Sequence, residues 1–258
     1  MEKPSNNSQQ IYGLRPVIEA IESGARIERV YLQSGFGSHD GGPKKGLGTD
    51  LVSRLREGGI PFQFVPAEKL DRLARGNHQG VVATLAAVAY RSALDLLPAL
   101  AEEKACPLVV VLDHITDVRN MGAIARTAEC TGVDALVVPD RGSAAINQDA
   151  IKTSSGALLR LPLCREANFK TVVNLAKQCG YQVVAATEKG AVHYRQVDFR
   201  RPTLLILGNE ETGISPDLLK LSDVRAKLPI VGEVASLNVS VAAGVFMYEA
   251  LEQRQGAE

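Results

Sequence analysis

Three short stretches hold most of the side chains able to do chemistry. Asn120 and Arg126 stand six residues apart in "NMGAIARTAECTG" (120–132). Asn209 and Glu210 follow an apolar run in "LILGNEETGIS" (205–215). Ser236, Asn238 and Ser240 crowd the start of an apolar helical pattern in "LPIVGEVASLNVSVAAG" (228–244), where capping needs only one of them. The planar fork of an arginine flanked by Ala125, Thr127 and Ala128 suits a phosphate or a carboxylate. A glycine closing a strand, here Gly208, lets a ligand approach the backbone closely. Each residue also has a plainer role. Asn120 would cap its helix, Arg126 would join a surface ion pair, and Gly208 with Asn209 would make a β-turn. Ser236 is the simplest cap for the last helix, with Ser240 bonding back within it. His114 has the side chain of a general base, yet a lone histidine at a strand's end is more often structural.

These stretches need a scaffold that delivers them to one place. Apolar runs at 107–115, 135–139, 181–187, 202–208 and 225–230 are spaced as strands. Helical patterns at 120–132, 168–180, 215–222 and from 239 onward lie between and after them. Alternating βα units with apolar strands predict an α/β fold, a parallel sheet with helices on both faces. Ligands gather beyond the carboxyl ends of the strands in such sheets, and the three stretches fall there. No G-x-G-x-x-G fingerprint is present, which removes support for a dinucleotide cofactor.

Residues 13–88 predict a smaller α/β unit with a parallel or mixed sheet: helices over 13–24, 49–59 and 67–75, strands over 27–33, 61–66 and 80–88. A helical connector, "SALDLLPALAEEKA" (92–105), is interrupted by Pro98. The expected organisation is a domain at 1–90, a linker at 91–105 and a second domain at 106–258. The glycine-rich loop "GFGSHDGGPKKGLG" (35–48) does not match a P-loop and is a solvated insertion, although Lys44 and Lys45 could touch an RNA backbone.

Composition sets bounds on function. The 258 residues are 45% hydrophobic and 22% charged, ordinary for a globular chain. No apolar run approaches a membrane span, and the polar start lacks a secretory signal. The four cysteines, 106, 130, 164 and 179, show no C-x-x-C pair. That pattern disfavours zinc and disulfides, predicts four small buried thiols, and points to a reducing, cytoplasmic setting. Net charge is zero, so any bound RNA must meet a local patch rather than a strong overall field.

Taken together, the three stretches resemble the three motifs of the SpoU (TrmH-like) RNA ribose 2′-O-methyltransferases, in order and spacing. The resemblance spans most of residues 107–254. "IYGLRPVIEAI" (11–21) and "RGNHQGVVA" (75–83) are similar to that family's L30e-like substrate-binding domain. The combination most resembles the branch that methylates a guanosine ribose in large-subunit (23S) ribosomal RNA. The resemblance implies a C-terminal α/β-knot, a deep trefoil that periodicity cannot show. It also implies S-adenosylmethionine bound bent within the knot, no metal, an RNA partner, and a homodimer whose interface carries the active site. Carried over by position, Asn120, Arg126, Glu210, Ser236 and Asn238 fall on the catalytic motif positions. Thr187, Gly208, Asn209, Leu228, Ile230 and Leu237 fall on the cofactor-binding ones. One departure is that the family's "GNEGxGL" becomes "GNEETGIS", with Glu211 in place of a glycine.

For the chemistry implied, positioning of a hydroxyl against the methyl donor supplies much of the rate. A guanidinium keeps its proton in proteins, so Arg126 suits positioning better than proton abstraction. Glu210 suits orienting Asn120 and Arg126. The rivals are a tRNA ribose methyltransferase, an antibiotic-resistance rRNA methyltransferase, and a non-catalytic RNA-binding protein that kept the fold.

Overall fold

The computed structural model describes residues 10–36, 47–74, 76–85, 88–233 and 236–255. Most of the glycine- and lysine-rich stretch, including Lys44 and Lys45, lies outside the described residues. The chain divides into two compact units, Met1–Ala89 and Tyr90–Glu258.

The first unit runs β1 (Gln10–Tyr12), α1 (Leu14–Glu22), β2 (Ile27–Gln33), α2 (Leu47–Glu57), β3 (Phe62–Val65), α3 (Ala67–Leu73) and β4 (Val81–Leu85). Its sheet is mixed, in the order β1-β4-β2-β3, with β2 parallel to β3 and β4 antiparallel to both of its neighbours. Alternation along β2 explains the layering. Val30 and Leu32 meet Val17, Leu51 and Leu55 from α1 and α2. Tyr31, on the other face, meets Leu70 and Leu73 from α3.

The second unit runs β5 (Tyr90–Arg91), α4 (Ala93–Glu103), β6 (Leu108–Asp113), α5 (Val118–Cys130), β7 (Ala135–Pro139), α6 (Gln148–Thr153), β8 (Leu163–Glu166), α7 (Phe169–Gln178), β9 (Gln182–Ala186), β10 (Val192–His193), β11 (Thr203–Gly208), α8 (Pro216–Leu221), β12 (Val224–Lys227) and α9 (Val239–Gln255). All its strand pairs are parallel, in the order β10-β12-β9-β11-β6-β7-β8-β5. Every residue of β6 and β7 is buried, as required of strands covered on both faces. Val111 and Ile206 pack with Leu97, Val173 and Leu218 from α4, α7 and α8. The alternate residues Val110, Leu112, Leu205 and Leu207 point to the opposite face, where α5 and α9 pack on each other.

The chain leaves β6 through α5 towards β7, and leaves β11 through α8 towards β12. These connections diverge from neighbouring strands, so a crevice opens at the carboxyl ends of β6 and β11.

Residues 91–105 are not a linker. Ser92 caps α4 by accepting from the Leu94 amide, and α4 continues through Pro98. Its Ala93, Leu97 and Leu100 are buried in the second unit's core, because an apolar helical stripe beside a sheet is held by burial. The cysteine expectation also needs correction. Cys164 is buried, and burial pushes its thiol up to about 12. Cys106 and Cys179 are half-buried, while Cys130 is exposed at the last residue of α5.

If α4 belongs to the core, Leu97→Ala should destabilise the chain by about 2–5 kcal/mol in urea unfolding. A loss under ~0.5 kcal/mol would return this segment to the role of a linker.

Candidate active site

The site begins where β11 ends. A Cβ on Gly208 would lie 2.3 Å from the Gly213 carbonyl carbon and the Ile214 nitrogen, so only glycine fits as the loop folds back over the strand. The protein's own backbone is therefore what requires glycine at 208. Gly213 sits at φ +70°, and its amide donates to the Asn209 carbonyl at 2.8 Å. The Asn209 side chain fixes the loop at two ends. Its Oδ1 accepts from the Glu211 amide at 2.8 Å, and its Nδ2 donates to the His114 carbonyl at 2.9 Å, across to the end of β6.

This loop holds Glu210 against two helices. Glu210 Oε1 accepts from Asn120 Nδ2 at 3.1 Å, from the Val239 amide at 3.3 Å, and from Asn238 Nδ2. Asn238 Nδ2 also reaches Asn120 Oδ1 at 3.0 Å. A carboxylate at the first turn of α9 suits the helix dipole as well as the orphan amide there. Asn238, not Ser236, caps α9: its Oδ1 accepts from the Ser240 and Val241 amides at 2.9 and 3.4 Å. Ser240 Oγ donates to the same Oδ1 instead of bonding back into the helix. Asn120 is likewise released from capping, because Asp117 caps α5 by accepting from the Arg119 amide at 2.6 Å.

Beside this tie lies a cavity of about 280 Å³. Thr187, Gly208, Asn209, Leu228, Ile230 and Leu237 all border it, as do Glu210 and Ser236. Residues not foreseen from sequence border it too, among them Glu188, Lys189, Glu211 and Phe246. Phe246 has a signal, since Val239, Ala243, Phe246 and Ala250 recur at helical spacing; that pattern equally describes core. Arg126 is exposed on α5 and is not among the cavity's lining residues. Among the described residues it makes no hydrogen bond or ion pair, so the expected surface ion pair is not formed.

His114 adopts φ +59°, and its Nδ1 is 2.6 Å from Oδ1 of Asp113, a buried carboxylate that also accepts from the Ser215 amide at 2.7 Å. It borders a separate cavity of about 270 Å³ with Arg141, Asn168 and Lys170.

The family model named "SpoU rRNA Methylase family" matches residues 107–248. A second, "RNA 2′-O ribose methyltransferase substrate binding", matches residues 10–91. The chain belongs to the SpoU methylase family. It is 35% identical over 244 residues to a protein of Staphylococcus haemolyticus named as a TrmH family tRNA/rRNA methyltransferase, covering 95% of each chain. It is 32% identical over 250 residues to the similarly named YacO of Bacillus subtilis, covering 97% of this chain and 98% of that one. Among solved structures it resembles the SpoU methyltransferase AviRb of Streptomyces viridochromogenes in complex with the cofactor AdoMet. That match has a TM-score of 0.59 and 26% identity, over 95% of this chain and 90% of that one.

As a SpoU methylase the chain is an RNA methyltransferase that uses S-adenosylmethionine. The cavity fits that cofactor's chemistry. Leu228, Ile230 and Leu237 offer apolar surface for an adenine ring, and three glutamates face a molecule of net positive charge.

The tie makes Asn238 more than a cap. Asn238→Ala should cost about 1–2 kcal/mol in chemical unfolding through the lost cap. Asn238→Asp, which caps equally well, should still cost ~1 kcal/mol or more, because a second carboxylate meets Glu210. Wild-type stability in Asn238→Asp would show that the Glu210 contact contributes nothing.

Proposed function

We propose that the chain methylates the ribose 2′-hydroxyl of a guanosine in 23S ribosomal RNA. The observation that carries the reading is the Asn120–Glu210–Asn238 tie beside the cofactor cavity, three motif residues brought together from three separate elements. The larger target is supported by the substrate-binding match at residues 10–91. The A. aeolicus TrmH/SpoU tRNA modifying enzyme, 32% identical with a TM-score of 0.55, covers only 64% of this chain and 83% of its own.

When bound, S-adenosylmethionine supplies an activated methyl group. Leu228, Ile230 and Leu237 hold its adenosine, and the Gly208–Gly213 loop closes the wall beside them. Glu210 has an oxygen already accepting three hydrogen bonds, so it orients Asn120 and the α9 mouth rather than taking the hydroxyl proton. Arg126, exposed and unpaired among the described residues, is free to hold an RNA phosphate beside the hydroxyl, lowering the cost of its proton loss. Ser236 lines the cavity two residues before Asn238, where its hydroxyl, unpaired among the described residues, is free to meet a ligand. The family's knot and homodimer belong to this reading. Val241 and Tyr248 are large apolar side chains more than half exposed on α9, as expected if a second copy packs there.

Radiolabelled methyl transfer to undermethylated rRNA and tRNA, followed by mapping of the modified ribose, tests the substrate. Label on a 23S guanosine is the expected result; label on tRNA alone would replace it with the tRNA reading. Arg126→Ala should lower transfer by roughly a hundredfold or more while calorimetric cofactor affinity stays within about twofold. Loss of cofactor affinity in that variant would instead place Arg126 in the cofactor site.

A further inference from the structure

Four charged side chains border the cofactor cavity, and they are not equivalent. Glu210 is tied to Asn120, Asn238 and the Val239 amide. Glu188 accepts from Thr187 Oγ1 at 3.5 Å and lies 4.0 Å from Lys189. Glu211 differs: its side chain makes no hydrogen bond or ion pair among the described residues. Its backbone is nonetheless fixed, because its amide donates to Asn209 Oδ1 at 2.8 Å and Gly213 closes the same turn. The result is a free carboxylate on a fixed segment of a cavity wall. Its position is the one at which the motif "GNEGxGL" carries glycine, so the charge is a property of this chain.

The two cofactor species differ in charge. The methyl donor carries a sulfonium, an ammonium and a carboxylate, for a net charge of +1. The demethylated product S-adenosylhomocysteine keeps the last two and is neutral overall. We infer that Glu211 is the counter-charge to the donor's sulfonium and so selects the methyl donor over its demethylated product. A carboxylate facing the cavity attracts the donor by a Coulomb term that the product lacks. An enzyme with such a group holds the donor more tightly relative to the product, so a given concentration of donor displaces the product more effectively. The inference rests on the cavity being the cofactor site, the reading given by the family match.

The test is calorimetric titration of the full chain with S-adenosylmethionine and, separately, S-adenosylhomocysteine. Glu211→Gln should raise the donor's Kd about two- to fivefold, the upper part of the range for an exposed charge pair, and leave the product's Kd unchanged within about 1.5-fold. Raising salt from about 0.05 to 0.5 M should shrink the wild type's preference for the donor, and do so less in the variant. Glu211→Asp, which keeps the charge, should retain most of the preference. Equal weakening of both ligands would overturn the inference, since it would put Glu211 on the shared amino-acid end or in support of the loop. So would unchanged affinity for both. Failure of the unaltered chain to bind either ligand would instead overturn the assignment of the cavity.

Discussion

The carboxylate of Glu210 is the joint on which the second unit's working end is built. One oxygen gathers donors from α5 and from the mouth of α9, elements 90 and 28 residues away in sequence. Asn120 is only 9% exposed, so without Glu210 and Asn238 its amide would be a nearly buried polar group with no partner. An unpaired buried amide costs more than the made bond returns, so the three side chains stand or fall as a set. Their mutual dependence answers why polar groups crowd the start of an apolar helix. Asn238 serves two masters there, the helix amides through Oδ1 and the Glu210–Asn120 pair through Nδ2.

The loop that presents Glu210 is held as firmly as the side chain itself. Gly208 admits the returning backbone, Gly213 supplies a left-handed turn, and Asn209 bolts the loop to the carbonyl of His114. His114 is itself bent into a positive-φ conformation and braced by the buried Asp113. Neighbouring strands β6 and β11 are thereby locked at their carboxyl ends, where the sheet's connections diverge. A wall this rigid keeps cofactor-lining groups in place without the cofactor's help, which is what preorganisation requires.

Much of this was legible beforehand, and the gaps have physical causes. Long apolar strands such as β6 and β11 announced a parallel sheet because burial on both faces leaves a continuous run. Strand β8 was missed: Leu163–Glu166 is four residues long and buries only two of them, too brief a pattern for periodicity. The helix at 92–105 was visible, but whether it bridges units or joins a core depends on contacts with residues 70 and more positions away. In the site, motif spacing singled out Asn120, Glu210 and Asn238, and these three side chains are hydrogen-bonded to one another. Their division of labour is not visible in the sequence, since the choice of cap between Ser236 and Asn238, or Asp117 and Asn120, turns on a shift of only two or three residues in where the helix starts. Glu188 has no distinctive signal, and the helical spacing that includes Phe246 marks core as readily as cavity wall, because exposed loop carboxylates and helix-core aromatics are common everywhere.

The last donors to the joint come from a helix that follows every strand of the sheet. Chains are synthesised from the amino end at roughly 5–20 residues per second, and domains fold as they emerge. Until the ribosome reaches α9, Glu210 has been made but its partners at 238 and 239 have not. The cavity, too, lacks the wall formed by Leu237, Val239 and Phe246. A nascent chain that has already collapsed around its sheet is thus still without a finished site. Arrival of α9, rather than collapse of the sheet, is the moment at which this site is finished.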